Sequence, residues 1–364
     1  MKTAIITTTI NVPTLLADYA KNVKKYKHDA FFVVIGDKKT PKATKPYCKK
    51  IAKQFKVTIE YLDIPDQLKY LRKFPELNKH LVYNSIQRRN IGILLAYEMG
   101  AEKIITIDDD NFFISKDFIK LHALGKRNLE TISSSTGWLN VCDQLKEKHN
   151  RRFYHRGFAQ EYRFLDEKTK SIKKNINVVV NAGFWLNDPD IDALTRLYFP
   201  NNDITVTAYK KKNDFAVAKK TWTPFNSQNT ALARDIIPAY FLSPLVGRYD
   251  DIWGAYVVKR ISDYLGDYIA FGQPLVNQER NIHNYWKDLA KEDLGMQLTT
   301  DFVNLLKKIK LTGKNYQDSF AQLTKQLDIL VKKYDGTPAQ QKFLKDYVAG
   351  MKVWVKTFKR MTQK

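Results

Sequence analysis

Cysteine, long apolar runs and the common nucleotide-binding motifs are scarce or absent in this sequence of 364 residues. Cys48 and Cys142 are too few for a disulfide framework and lack the CxxC spacing of a zinc site, so they predict a reducing compartment. The longest apolar stretches, such as residues 91–96, are far shorter than the roughly 20 residues of a membrane span, and no apolar signal block follows Met1. The absence of GxxxxGKS/T, GxGxxG and HExxH excludes the usual nucleotide hydrolases, dehydrogenases and metalloproteases. We therefore expect a cytoplasmic protein without a membrane partner.

Acidic side chains are outnumbered by basic ones: 61 Lys and Arg residues face 38 Asp and Glu residues, which gives a formal net charge of +23. Such an excess creates a positive field that attracts phosphates and other polyanions. The hydrophobic content of 44% is enough for a substantial core and excludes a largely disordered chain. The composition therefore predicts a globular protein that binds phosphates or another polyanion; the alternative is that the charge reflects a Lys-rich genome or tolerance of crowding.

Short β-branched runs alternate with amphipathic helical patterns in the first third of the chain. The alternation is the signature of βαβ units, and it predicts an α/β fold with a mainly parallel, twisted sheet flanked by helices. The predicted strands are residues 3–7, 31–35, 57–62 and 103–107, and the predicted helices are residues 15–26 and 85–99.

The pattern changes after residue 290, which we interpret as the boundary between a catalytic domain (1–290) and a C-terminal helical extension (291–364). Two stretches there carry apolar residues at spacings of three and four, and a break at 335–338 separates them, so they predict a helical hairpin. Its apolar stripes pack either on the main domain or on a second subunit, which makes a homo-oligomer one expectation. A dedicated binding arm is the alternative.

Three carboxylates, Asp108, Asp109 and Asp110, directly follow the apolar strand predicted at 103–107. Open α/β sheets bind ligands at the carboxyl ends of their strands, where Asp108 and Asp110 can share a divalent cation that neutralises a diphosphate. The arrangement resembles the DxD motif of GT-A glycosyltransferases. A solvated acidic loop or a helix N-cap is the alternative interpretation.

A second group of candidate residues lies at 247–253, with the sequence GRYDDIW. Asp250 or Asp251 can orient a sugar hydroxyl or act as a base, and Arg248 can pair with them, so we predict catalytic roles for these three. Trp253 can stack on an apolar sugar face and is predicted to bind the donor. The alternative is a helix start capped by one of the aspartates, with Trp253 in the core.

A third group follows the strand predicted at 177–180. Trp185, Asn187 and Asp190 offer stacking and hydrogen bonds to a polar substrate, and we assign them to the donor. The alternative is a strand that ends in an Asn-Asp-Pro turn.

Four other residues complete the predicted donor site. Gly36 and Asp37 end the strand predicted at 31–35, in the place where GT-A enzymes hold the nucleoside. Arg89 can clamp a phosphate, although paired arginines are often simply solvated, and Asp109 accompanies the metal-binding carboxylates.

Basic segments interleaved with aromatic residues suit a groove that follows a nucleic-acid backbone. The predicted acceptor-binding residues are Arg151, Arg152, Lys210, Lys211 and Lys212. A solvated charged face is the alternative.

At four of these places the sequence resembles the reversibly glycosylated polypeptides, or UDP-arabinopyranose mutases, of glycosyltransferase family 75. The matching strings are RNIG (89–92), IDDD (107–110), GFWLNDPDIDALT (183–195) and GRYDDIW (247–253). The resemblance runs more weakly along nearly the whole chain. It implies a GT-A fold, UDP-sugar binding and a divalent metal, Mn²⁺ or else Mg²⁺, at the acidic triplet.

The resemblance also implies two activities: interconversion of the pyranose and furanose forms of UDP-arabinose, and self-glycosylation on an arginine. Arg156 or Arg163 corresponds to that arginine. Because one diphosphate does not account for a net charge of +23, our first hypothesis is metal-dependent transfer from a UDP-sugar to a nucleic acid, such as a hydroxylated DNA base. The second is a UDP-arabinopyranose mutase or self-glycosylating protein. The third is a non-catalytic nucleic-acid-binding protein on a GT-A scaffold.

Overall fold

A twelve-stranded sheet runs through the computed structural model, which describes residues 1–199, 203–280 and 283–362. Its strands are β1 (Thr3–Thr8), β2 (Ala30–Ile35), β3 (Thr58–Leu62), β4 (Lys103–Ile107), β5 (Asn111–Phe113), β6 (Gly125–Ser134), β7 (Leu145–Glu147), β8 (Thr169–Asn187), β9 (Val206–Tyr209), β10 (Phe215–Val217), β11 (Asn229–Ala233) and β12 (Tyr268–Gln278).

Helices flank the sheet and form most of the C-terminal region. They are α1 (Leu16–Tyr26), α2 (Thr44–Phe55), α3 (Ile64–Leu71), α4 (Pro75–His80), α5 (Arg89–Glu98), α6 (Phe118–Leu121), α7 (Ala193–Tyr198), α8 (Asp250–Leu265), α9 (Tyr285–Lys308), α10 (Tyr316–Lys332) and α11 (Pro338–Thr362). The helix predicted at 85–99 is a 3-10 turn followed by α5. In the part of the chain that the structure describes, no helix combines the length and apolarity that crossing a membrane requires.

The first half of the sheet is parallel and confirms the predicted α/β fold. Strands β3, β2, β1 and β4 lie side by side in that order, with Thr8 opposite Ile35 and Thr7 opposite Ile107. Their carboxyl ends therefore meet at one edge, where open sheets bind ligands. The second half is mixed, because β11 runs antiparallel to β4 and β8 whereas β12 runs parallel to β8.

Helix α5 packs unusually close to β1 and β2. A Cβ atom at position 92 would lie 2.8 Å from Ile6 Cγ2 and 3.2 Å from Ile35 Cγ1, so Gly92 permits this approach where a larger residue would push the helix away. The packing brings Arg89, the first residue of α5, to the end of β4, where its Nη2 reaches Asp108 Oδ1 at 2.5 Å.

The predicted C-terminal hairpin is confirmed by α10 and α11, which are joined by an ion pair between Lys352 and Asp328 at 2.7 Å. Helix α11 also packs on the preceding part of the chain, because Trp354 Nε1 donates to the Ile237 carbonyl at 3.2 Å. Buried residues from the sheet and from α9–α11 form one continuous hydrophobic core. The boundary proposed at residue 290 falls inside α9.

Candidate active site

A cleft of about 510 Å³ opens at the edge of the sheet where β4 and β12 end and β11 begins. Backbone hydrogen bonds connect the residues next to these strand ends. Asp108 N–H donates to the Gln228 carbonyl at 3.1 Å, and Glu279 N–H donates to the Asp110 carbonyl at 3.3 Å. Seven residues selected from the sequence line this cleft: Asp108, Asp110, Arg156, Asp190, Arg248, Asp250 and Asp251. The structure therefore brings the three predicted groups together.

The acidic triplet divides between the cleft and a neighbouring loop. Asp108 and Asp110 line the cleft, whereas Asp109 Oδ2 accepts a hydrogen bond from Thr9 Oγ1 at 2.6 Å, beyond the end of β1. Burial raises the pKa of Asp108, although the bound Arg89 opposes that shift. Burial and then the charge of Asp108 raise the pKa of Asp110 to about 7. Both carboxyl groups therefore ionise less readily than a carboxyl group in water.

The pair Asp108 and Asp110 fits a divalent cation. Mg²⁺ and similar hard cations bind to one or two carboxylates together with substrate phosphates, and a cation here would relieve the repulsion between the two carboxyl groups. Gln278 offers a further oxygen, because its Oε1 is buried without a hydrogen-bond partner and the residue lines the cleft. Within the described residues, no group of three or more His, Cys, Asp or Glu side chains is arranged to hold a metal alone. A cation in this place would need ligands from the substrate as well.

Arg156 links two of the predicted carboxylates. Its guanidinium donates to Asp190 from Nε at 3.0 Å and from Nη2 at 3.2 Å, and to Asp251 from Nη2 at 3.3 Å. Burial alone would lower the pKa of Arg156, but the charges of Asp190 and Asp251 outweigh it and raise that pKa. Burial would likewise raise the pKa of Asp190, but Arg156 holds it well below its usual range. This part of the cleft wall is a permanently charged, hydrogen-bonded network.

Asp250 and Asp251 form the first turn of α8 and differ in their surroundings. Asp251 Oδ2 accepts the Ser227 N–H at 2.9 Å, and Asp250 Oδ2 accepts from Gln87 Nε2 at 2.8 Å. Burial and then the neighbouring Asp251 raise the pKa of Asp250 to about 7. Both protonation states of Asp250 are therefore accessible near neutral pH, which suits a group that takes and returns a proton.

Helix α9 fixes Arg248 and supplies further residues to the cleft. Arg248 Nε donates to Glu292 Oε1 at 2.7 Å, and its Nη1 lies 3.7 Å from Asp288 Oδ1. His283 Nδ1 lies 2.7 Å from the other oxygen of Asp288. Because His283 and Lys291 also line the cleft, the start of α9 forms one of its walls.

The two tryptophans predicted to bind the donor lie in the core, which corrects that prediction. Trp253 is fully buried; its ring stacks on Phe302 with 4.1 Å between centroids and 5° between planes, and its Nε1 donates to Thr299 Oγ1 at 3.4 Å. Trp185 is also buried, and its ring centroid lies 5.9 Å from that of His155. Neither ring has a free face for a sugar, because core side chains already cover both.

Arg89 positions Asp108 and does not clamp a phosphate, which is a second correction. Its side chain is completely buried. Besides Asp108, its donors bind the Ser227 carbonyl at 2.6 Å, Ser227 Oγ at 2.8 Å and the Ile107 carbonyl at 3.2 Å. The guanidinium therefore has no exposed edge to offer to a ligand.

Gly36, Asp37 and Asn187 lie beside the cleft without lining it. Asp37 Oδ2 accepts the Ser85 N–H at 3.1 Å, and Asn187 Nδ2 donates to the Gln278 carbonyl at 3.0 Å. Ser85 and Gln278 are both lining residues. A direct contact of Gly36, Asp37 or Asn187 with the donor stays a prediction.

The two arginines proposed for self-glycosylation occupy different places. Arg156 lines the cleft. Arg163 lies outside it, and its Nη2 donates at 2.6 Å to Asp192, the residue that caps α7. Glycosylation of either residue stays a prediction.

The residues predicted to bind a nucleic-acid acceptor, 151–152 and 210–212, do not line the cleft. Three of them are engaged in ion pairs, namely Arg151 with Glu147 (2.7 Å), Arg152 with Asp143 (2.8 Å) and Lys211 with Glu130 (2.6 Å). Lys210 Nζ donates to the Asp143 carbonyl at 3.0 Å. Contact with a nucleic acid stays a prediction for this set.

Several residues that line the cleft were not predicted from the sequence, above all Arg280 and Lys291. Arg280 lies just beyond the end of β12, which pairs in parallel with β8, so prediction of that strand would have placed Arg280 at the ligand-binding edge. Gln87 lies two residues before the RNIG string, but nothing in its sequence context indicates a contact with Asp250.

Comparison with known proteins agrees with the motifs. The chain is similar to UDP-arabinopyranose mutase 1 of Arabidopsis thaliana, with 28% identity over 243 residues that cover 63% of each protein. It is also similar to UDP-arabinopyranose mutase 1 of Oryza sativa subsp. japonica, with 28% identity over 219 residues that cover 57% of this chain and 55% of the relative. The chain thus spans less than two thirds of the length of these curated relatives.

One solved structure aligns along the whole chain: the mannosyltransferase PcManGT from Pyrobaculum calidifontis in complex with GDP-Man and Mn²⁺, with a TM-score of 0.38, 10% identity, and coverage of 100% of this chain and 88% of that one. Residues 77–363 match the family described as "Reversibly glycosylated polypeptide", which is well over half of the sequence. The chain therefore belongs to the reversibly glycosylated polypeptide family.

Proposed function

We propose that the chain is a nucleotide-sugar enzyme that interconverts the pyranose and furanose forms of UDP-arabinose, on the GT-A type of fold that the family resemblance implies. The relatives named UDP-arabinopyranose mutase support the substrate. The observation that carries the proposal is the cleft itself, in which a carboxyl group with a pKa of about 7, Asp250, lies in the same cavity as a carboxylate pair and several cationic side chains.

The diphosphate of the substrate would bind to the cationic side of the cleft. Arg248, Arg280 and Lys291 line it and come from three separate places in the chain, so together they can surround two phosphates. Asp108 and Asp110 would hold a divalent cation, Mn²⁺ or Mg²⁺, which when bound supplies positive charge to the diphosphate oxygens. Without that cation, the carboxylates of Asp108 and Asp110 would repel the diphosphate.

The sugar would lie toward Asp250 and Asp251. A change of ring form breaks the bond between the anomeric carbon and the ring oxygen and forms a bond from that carbon to another hydroxyl oxygen of the same sugar. The proton lost by that hydroxyl ends on the former ring oxygen, so the reaction has no net release of protons. Asp250 can accept and return this proton, because its pKa of about 7 leaves both forms populated.

The proposal is tested with purified protein and UDP-arabinopyranose, followed by NMR of the anomeric protons and by chromatography for free UDP. We expect UDP-arabinofuranose to appear without stoichiometric release of UDP, and Mn²⁺ or Mg²⁺ to accelerate the reaction. An added arm contains DNA with hydroxymethylated bases. Release of UDP together with transfer of the sugar to the DNA would instead support the transferase hypothesis. Failure to interconvert the ring forms would overturn the mutase proposal.

A further inference from the structure

A second concavity of about 600 Å³ lies away from the active-site cleft. Residues of α6, β6, β8 and the loop between β9 and β10 line it, among them Lys120, Arg127, Lys173, Lys211 and Lys212. None of these residues lines the cleft, so the two cavities are separate among the described residues. We call this second cavity the basic pocket.

The basic pocket carries an excess of positive charge, with five cationic side chains and two carboxylates. Both carboxylates are occupied: Glu130 accepts from Lys211 Nζ at 2.6 Å, and Asp214 accepts from Arg127 Nη1 at 2.5 Å. Asp214 also accepts from Asn181 Nδ2 at 3.2 Å. The pocket therefore contains no unpaired carboxylate, within the described chain, that could neutralise its remaining lysines.

Three ammonium groups are left for a ligand. Lys120, Lys173 and Lys212 are exposed, and none of them makes an ion pair with any residue that the structure describes. They come from α6, from β8 and from the loop between β9 and β10. Like charges gathered in one concavity repel each other, and a bound polyanion relieves that repulsion by neutralising them.

The loop that carries Lys212 is held in place before any ligand binds. Lys210 N–H donates to the Gln144 carbonyl at 2.8 Å, and Gln273 Nε2 donates to the Lys212 carbonyl at 3.0 Å. These contacts fix the backbone of the loop against two other segments of the chain, so little backbone entropy is lost when Lys212 binds a ligand.

The character of the lining indicates which anion it fits. No aromatic side chain is present among the lining residues, which removes the stacking surface that base recognition uses. The three ammonium groups of Lys120, Lys173 and Lys212 come from α6, β8 and the loop between β9 and β10, so they occupy separate parts of the lining and can contact more than one phosphate. We propose that the basic pocket binds the phosphodiester backbone of a nucleic acid, without regard to base sequence and independently of the UDP-sugar cleft.

The test is binding of a fluorescein-labelled oligothymidylate, followed by fluorescence anisotropy at several salt concentrations and without any UDP-sugar. The site variant is Lys120→Gln, Lys173→Gln and Lys212→Gln together. The matched control is Lys325→Gln, Lys345→Gln and Lys356→Gln, which removes the same charge from exposed, unpaired lysines of α10 and α11. Because single-stranded binding changes by roughly 0.7 in log–log salt slope per phosphate contacted, we expect the site variant to lose about 2 from the slope and at least tenfold in affinity at low salt, and the control to change affinity less than twofold.

Two results would overturn the proposal. If site and control variants lose affinity equally, the attraction comes from net charge and not from the basic pocket. If inorganic pyrophosphate displaces the labelled oligonucleotide at a concentration similar to that of unlabelled oligothymidylate, the pocket recognises a small anion. Since the assay contains no sugar nucleotide, neither result bears on the proposed mutase activity.

Discussion

Arg156 and Asp190 form a two-bonded ion pair inside the protein, with Arg156 Nε 3.0 Å from Asp190 Oδ1 and Nη2 3.2 Å from Asp190 Oδ2. The same guanidinium reaches Asp251. Arg156 thereby joins the two longest family strings, 183–195 and 247–253, in one charged network.

We predict that Arg156→Gln lowers the free energy of unfolding by about 3–5 kcal/mol, because it removes the two charge-assisted hydrogen bonds of the buried Asp190 and leaves it only Asn226 at 2.6 Å and the more distant Arg280 at 3.8 Å. Arg152→Gln is the control, since Arg152 pairs with Asp143 at a site where a third of its side chain is exposed (34%), and it should cost less than about 1 kcal/mol. Urea unfolding measures both. Because the pKa of Asp190 is lowered in the folded protein, its stabilising contribution is present at neutral pH and declines as pH falls below about 4. The difference in free energy of unfolding between wild type and Arg156→Gln should therefore become smaller at acidic pH. A difference that does not change with pH would contradict the ion pair between Arg156 and Asp190.

A second prediction concerns the metal. Asp110→Asn removes one of the two carboxylate ligands while keeping the shape of the side chain, so UDP binding that depends on Mn²⁺ should weaken by at least about tenfold. Calorimetric titration with UDP, with and without Mn²⁺, measures this effect. Asp335→Asn, at an exposed position between α10 and α11, serves as the control and should bind UDP like wild type. Equal UDP affinity of Asp110→Asn and wild type in Mn²⁺ would contradict the metal site.

The parts of the fold that could be predicted are those with unbroken local patterns. Strand β4 was predicted with its observed bounds, because all five residues of Lys103–Ile107 are buried and three of them are isoleucines. The hairpin of α10 and α11 followed from apolar spacing. The mixed half of the sheet could not be predicted, since its partners are far apart in sequence, such as β8 with β12.

Some residues of the site could likewise be predicted from the sequence, and others could not. Asp108 and Asp110 could be found because they follow a buried strand, and Asp250 because it lies in a long family string. Trp253 shows why proximity in sequence was misleading: residues 251 and 253 of a helix are separated by about 200° around its axis, so a helix that turns Asp251 to the cleft turns Trp253 toward the core. Composition alone cannot distinguish these faces.

Trp253 leads to a third prediction. Trp253→Ala removes a ring stacked on Phe302 and should destabilise the fold by about 3–5 kcal/mol, because it leaves a large cavity in the core. Trp286→Ala is the matched control: Trp286 is 71% exposed, and its replacement should change stability by less than about 0.5 kcal/mol. Denaturant unfolding gives both values. If Trp253→Ala were instead as stable as wild type but bound UDP poorly, the placement of Trp253 in the core would be wrong.

A fourth prediction separates chemistry from binding at Asp250. Asp250→Asn keeps the size of the side chain and its contact with Gln87 but cannot exchange a proton, so the rate of ring interconversion should fall by roughly 100-fold or more while UDP affinity changes little. Single-turnover kinetics and equilibrium binding of UDP measure the two quantities separately. Parallel losses in both would identify Asp250 as a residue that binds the donor or supports the fold.

The last prediction follows from the raised pKa of the same carboxyl group. Asp250 has a pKa of about 7 in the folded protein, because of burial and then of Asp251, against about 4 in an unfolded chain. The native state therefore holds a proton that the unfolded state releases, so this contribution to stability is complete below about pH 4 and is lost as pH rises through 7. Asn at this position mimics the protonated carboxyl at every pH. The free energy of unfolding of Asp250→Asn should accordingly rise relative to wild type by up to about 1.4 kcal/mol per pH unit between pH 5 and 7, whereas the titration of Asp110 is common to both proteins and cancels. Urea unfolding at several pH values measures this difference, and a difference that does not vary with pH would show that Asp250 is ionised throughout.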